Sequence, residues 1–170
     1  YYLRQAGVQV PVVVLSISWL PEADHLRLGE ALGEVLRASP HRVGVLASGD
    51  LSHRLLDSGP YGFDEMGSVF DRQILECLKN ADAPGILALP EDLVERAGQC
   101  GIRPILTMLG SLDPGARAVV HSYEGPFGVG YAVVHFEAPS GEAETPQPGE
   151  GPGSPQPCEE PESPGEGTDS

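Results

Sequence analysis

The sequence predicts a mixed α/β fold, a largely parallel sheet flanked by helices, and three observations point there. Val8–Ser18 (VQVPVVVLSIS) is nearly all apolar or β-branched, the composition of a strand covered on both faces. Val43–Ala47 (VGVLA) is a second, shorter run of the same kind. The residues between them carry helical periodicity, so strand, helix and strand follow in the order of a parallel crossover.

Each element has its own signal. Pro11 places the start of strand pairing after it, because proline has no N–H to give to a ladder. Pro21 opens the helix, where a missing N–H costs nothing. Leu28, Ala31, Leu32, Val35 and Leu36 recur at i, i+3, i+4, i+7 and i+8 and form one apolar face. A polar loop, Ser48–Leu55 (SGDLSHRL), follows the second apolar run. The next helix takes Asp64 as its N-cap and sets Phe63, Met66, Phe70, Ile74 and Cys77 along one face. On it Asp64, Glu65 and Asp71 read as caps and solvated face. Pro84–Leu89 and Pro90–Gly98 are short helices, each restarted by a proline, and Pro104–Leu109 is an apolar helical segment. Ala116–Tyr123 and Gly130–Phe136 read as paired strands across the turn-rich EGPFGVG.

Composition narrows the function. The chain has 170 residues, 40% of them hydrophobic, with 25 Asp+Glu against 10 Lys+Arg and a formal net charge of −15. That hydrophobic share is too high for a wholly disordered chain. No stretch reaches the roughly 18 uncharged apolar residues of a membrane helix. An acidic chain without a basic cluster is a poor partner for nucleic acid or an anionic membrane. Three widely spaced cysteines, Cys77, Cys100 and Cys158, make no disulfide framework, so a reduced, cytoplasmic setting is expected. The chain starts at Tyr1 with no signal peptide ahead of its first apolar run. It reads as a piece beginning mid-protein, its fold incomplete at the N-terminus.

Composition changes abruptly after Glu137. Residues 138–170 hold eight prolines, six glycines and eight acidic residues, with no Lys, Arg or aromatic residue. Such a segment cannot offset an ordering cost of about 1–2 kcal/mol per residue. The expected organisation is a folded domain over 1–137, with net charge −7, and a disordered acidic Pro/Gly/Glu-rich tail over 138–170.

Within the domain, His53 is the first candidate for chemistry. It follows a predicted buried strand, in a loop with Ser48, Gly49, Asp50 and Ser52, and ligands of open α/β sheets gather beyond the carboxyl ends of strands. Histidine also moves protons near neutral pH. Against this stands a loop histidine bonded to its own loop. Asp50 could orient the imidazole, or serve only as a Gly-Asp turn former. Cys100, in AGQCGIRP, could ligate a soft or borderline metal as thiolate, or pack as a small hydrophobe. His25 and His41 flank a helix and read as solvated, His121 and His135 as sheet residues, Arg103 as an ion-pair partner. GPFGVG has no following helix and no neighbouring cation, which excludes a phosphate cradle. Ser48, Ser52 and Ser58 lie in no nucleophile elbow.

The stretches VLASGDLSHRL, AGQCGIRPILTMLGSLD and YEGPFGVGYAVVHF resemble the C-terminal half of the class III extradiol dioxygenase (LigB-like) superfamily. They are most similar to the proteins called AmmeMemoRadiSam system protein B or Memo-like. The resemblance spans nearly all of residues 1–137. It implies the phosphorylase/hydrolase-like α/β fold of extradiol dioxygenases and a non-haem Fe(II) site that opens catecholic rings with O2. His53 matches the family's acid/base histidine and Asp50 an aspartate beside it. Two metal-ligand histidines belong to the family's N-terminal half, and the third ligand, commonly Glu, falls near Gln99–Cys100, where Memo-like members carry Cys. The resemblance therefore implies an Fe(II)-dependent extradiol dioxygenase with a small catecholic substrate and O2 as partners. A homo-oligomer is compatible with it. The alternative is a Memo-like binding or metal-handling protein that uses the same cleft without oxygenating anything.

Overall fold

The structure is a computed structural model that describes residues 2–139. The predicted acidic tail, with Cys158, lies from residue 140 onward outside the described residues. Among the described residues six α-helices precede one hairpin: α1 (Tyr2–Gln5), α2 (Glu22–Arg37), α3 (Glu65–Lys79), α4 (Ala83–Leu87), α5 (Glu91–Ala97), α6 (Ile102–Ser111), β1 (Arg117–Glu124) and β2 (Tyr131–Glu137), with a 3₁₀ turn at Pro126–Gly128. No helix among the described residues is long and apolar enough to cross a membrane.

The class is mixed α/β, but its sheet is smaller than the sequence predicts. Among the described residues the one sheet is the antiparallel pair β1–β2. Among the described residues Val8–Ser18 and Val43–Ala47 belong to no strand, and Val13 and Val14 are 85% and 83% exposed. Apolar β-branched residues dictate extended backbone. A strand also needs a neighbour's ladder, and none of the described residues supplies one.

The core is gathered by α3 and α6. Asp64 caps α3 by accepting from Met66 N at 2.9 Å, and Phe70, Ile74 and Leu78 are buried along the helix. Phe63, placed by the sequence on this helical face, precedes the cap and is exposed. In α6, Pro104 falls in the first turn, where it breaks no internal hydrogen bond, and Ile102, Ile105, Leu106, Met108 and Leu109 are buried.

Against α6 the second helix turns an unexpected face. Its buried positions are His25, Gly29 and Gly33. A side chain at Gly29 would collide with the Thr107 carbonyl and one at Gly110 with the Leu26 carbonyl, so backbone meets backbone there. The predicted stripe instead lies half open: Leu28, Leu32 and Leu36 line an apolar groove of about 430 Å³ with Val13, Leu15 and Val45. His25, expected in solvent, is buried. Its Nδ1 bonds Pro21 O at 3.2 Å and its Nε2 lies 3.4 Å from Ser18 Oγ. Arg103 forms the ion pair expected of it, with Glu22 at 2.9 Å, and donates to Leu20 O.

Candidate metal centre

The loop after Ala47 carries Asp50 and His53 and is held by backbone from three directions. Leu51 N donates to Gly130 O at 2.9 Å, Gly130 N donates back to Ser52 O at 2.7 Å, and Leu55 N donates to Gly128 O at 3.0 Å. The glycine-rich turn before β2, unsuited to phosphate, thus acts as a backbone template. On the other side His53 N donates to Ala97 O at 3.0 Å and Ser52 Oγ to the same oxygen at 3.1 Å. Ala97 ends α5, so its carbonyl is one of those a helix terminus leaves without an internal partner. Ser52 Oγ also accepts from Arg54 N.

Cys100 reaches this loop from the α5–α6 junction. Gly98 closes α5 in the left-handed conformation, φ +63°, which only glycine adopts without strain. Asp50 N donates to Cys100 Sγ at 3.2 Å, and Cys100 N donates to Asp50 O at 3.4 Å. Two glycines permit the approach: a side-chain carbon at Gly49 would lie 2.7 Å from Gly101 Cα. The thiol is exposed, so Cys100 is no core hydrophobe. Its neighbour Gln99 is committed elsewhere, its Oε1 accepting from Ile102 N at 2.9 Å at the start of α6.

Asp50, His53 and Cys100 therefore converge, each offering one ligand atom, all within 4.8 Å of one another. His53 Nε2 stands 3.5 Å from Asp50 Oδ2, near enough for charge attraction but without a hydrogen bond, and Nε2 is buried with no other partner. The imidazole side chain is 15% exposed. Tyr61 stacks over it, ring centroids 4.9 Å apart. Donors bonded to one ion at about 2.0–2.3 Å stand about 3–4 Å apart, so these three residues form a candidate metal site whose atoms would draw in by about 1 Å around an ion. A carboxylate, an imidazole and a thiol make a mixed set of borderline softness.

Beneath the loop lies a residue that the sequence reading placed in solvent. Asp71, on α3, is 0% exposed. Its Oδ1 accepts from Ser52 N at 2.7 Å and its Oδ2 from the Tyr123 hydroxyl at 2.6 Å. Burial pushes the Asp71 carboxyl above its ordinary range, against the pull of Tyr123, Ser52 N–H and the nearby His53. Burial, reinforced by the hydrogen bond to Asp71, holds the Tyr123 hydroxyl protonated well beyond the usual phenol range. The signal was available: residues 67, 70, 71, 74 and 78 share the buried helical stripe, and position 71 is its one charged member.

Two comparisons bear on what this arrangement is for. The family model described as the catalytic LigB subunit of aromatic ring-opening dioxygenase matches residues 1–134. Protein CA_C1420 of Clostridium acetobutylicum is 34% identical over 139 residues, 81% of this chain and 30% of its own length. The chain thus spans about a third of that relative.

Proposed function

This chain belongs to the LigB family, the catalytic subunits of aromatic ring-opening dioxygenases, and from that premise we propose that Asp50, His53 and Cys100 belong to a metal-dependent extradiol ring-cleavage site for catecholic compounds and O2. The observation that carries the reading is the convergence of three ligand atoms within 4.8 Å around a buried imidazole nitrogen that lacks a hydrogen bond. Ferrous iron, when bound, supplies the redox chemistry by which O2 enters an aromatic ring.

The chain's own residues divide the remaining work. Cys100, as thiolate, is the anionic donor that holds the cation. His53 accepts a proton from a catechol hydroxyl at Nε2 and returns it on ring opening, the role of a general acid and base near neutral pH. Asp50, 3.5 Å from that nitrogen, stabilises the imidazolium while the proton resides there. Tyr61, stacked on His53, keeps bulk water from the imidazole face and presents an aromatic surface to an incoming ring.

The thiol favours a second reading. A carboxylate suits oxygenase iron, whereas thiolate draws Zn(II) and Cu(I), so a Memo-like metal-handling protein is the alternative. Catechol supplied with Fe(II) under air separates them. A yellow ring-cleavage product that diminishes about 10²–10⁴-fold in His53→Ala, with metal content unchanged, supports the dioxygenase and the acid/base role. Metal retention without product supports metal handling, and loss of metal in His53→Ala makes His53 a ligand.

A further inference from the structure

We infer that Asp71 is a positioning residue for this centre, acting through the Ser52 amide to fix the loop on which Asp50 and His53 stand. The inference rests on the proposed metal-holding role of Cys100 beside this loop.

Among the described residues the other hydrogen bonds that hold residues 51–55 come from backbone or hydroxyl groups, whereas Asp71 is an ionisable side chain buried beneath them. Neither oxygen of its carboxylate is idle: one takes the Ser52 N–H at 2.7 Å, the other the Tyr123 O–H at 2.6 Å. Ser52 precedes His53 and follows Asp50 by two residues, so fixing its peptide fixes the backbone on which both side chains pivot. Room for the carboxylate exists only because position 130 is glycine. A side-chain carbon there would overlap Asp71 Oδ2 and lie 3.2 Å from Leu51 Cβ. Gly130 also exchanges hydrogen bonds with Leu51 and Ser52, so α3, the hairpin and the loop meet at one point.

A buried carboxylate is a costly way to fill space. An apolar side chain of similar volume is often as stable or more so, whereas removing the acceptor strands its donors. What the carboxylate adds is direction: two short hydrogen bonds, one to each oxygen, define the height and tilt of the Ser52 peptide. The Asp50 amide on this loop donates to Cys100 Sγ at 3.2 Å, so the loop also orients the thiol, and groups that orient a metal ligand typically change metal affinity about 10–100-fold when lost.

The test uses the 170-residue chain, with Co(II) as the probe and its thiolate charge-transfer absorption as the spectrum. Alongside it, amide hydrogen exchange is followed at Ser52. Asp71→Ala should bind Co(II) about 10–100-fold more weakly, with an altered spectrum and lost Ser52 protection. Asp71→Asn, which keeps an acceptor oxygen, should restore most of both. Should Asp71→Ala fail to fold, Tyr123→Phe decides: it frees one carboxylate oxygen and should shift affinity and spectrum in the same direction by a smaller factor. Folded variants with wild-type affinity, spectrum and Ser52 protection overturn the inference. If the wild-type chain takes up no Co(II), the metal reading fails. The metal half of the inference falls with it, and the exchange comparison decides the other half: Ser52 protection lost in Asp71→Ala upholds the hold of Asp71 on the loop, and protection retained refutes that as well.

Discussion

Gly130→Ala adds a single methyl group where the structure has no room for one. The new carbon would fall on Asp71 Oδ2 and within 3.2 Å of Leu51 Cβ. Two relaxations are open. If the carboxylate moves, it gives up the Ser52 and Tyr123 bonds, each worth about 1.5–3 kcal/mol when one partner is charged. If the start of β2 backs away, the two backbone bonds between Gly130 and residues 51 and 52 are lost, each worth about 1 kcal/mol. The cheaper route, with residual overpacking, sets the cost at about 2–4 kcal/mol, a large share of the roughly 5–15 kcal/mol that stabilises a typical domain. Urea unfolding at neutral pH reads this as a lower midpoint at unchanged slope. The clash also predicts coupling. In an Asp71→Ala background the same substitution should be cheaper by about 1–3 kcal/mol. A cost below about 0.5 kcal/mol, the scale of a neutral surface change, or costs that simply add, would refute the packing described at this point.

Other perturbations separate the roles of neighbouring residues. Tyr123 has its hydroxyl pKa raised by burial and by Asp71. Its contribution is therefore complete below the unfolded value of about 10 and is lost as pH rises through the folded value; wild type should lose more stability than Tyr123→Phe between neutral and strongly alkaline pH. Asp64, whose carboxyl is depressed first by the Arg96 hydrogen bond and then by Met66 N–H, behaves oppositely. Its contribution is present above the unfolded value and lost as pH falls through the folded one, so the thermal midpoints of wild type and Asp64→Ala should converge in acid. Cys100→Ser should abolish the thiolate charge-transfer band of the Co(II)-loaded chain, whereas Gln99→Ala, which removes only the bond to Ile102 N, should leave it intact. Equal metal affinity in wild type and Cys100→Ser would return this cysteine to a structural role.

What the sequence made legible followed from local physics. The Asp64 cap, Phe70 and Ile74 of the α3 stripe, the apolar helix at 104–109 and the β1–β2 pairing are dictated by residues near one another in the chain, and the structure places them accordingly. The sequence offers Asp50, His53 and Cys100 separately, and only the family resemblance links them; the structure brings the three together. Misreadings arose where the deciding partner is distant in sequence. Large apolar residues suggested which face of α2 is buried, yet the face against α6 is made by Gly29 and Gly33, because only small residues let the backbones touch. Composition alone reads His25 and Asp71 as solvated polar residues, although Pro21 O satisfies one and Ser52 and Tyr123 the other. Composition predicts strands at 8–18 and 43–47, but a strand depends on a neighbour that composition cannot supply, and among the described residues neither run is paired.

The claim that Cys100 holds a metal beside His53 and Asp50 is tested most directly by X-ray absorption on the Fe(II)-loaded 170-residue chain, prepared anaerobically. One sulfur scatterer among nitrogen and oxygen neighbours, absent in Cys100→Ser, is the predicted first shell. An all-oxygen and nitrogen shell identical in the two proteins would contradict it.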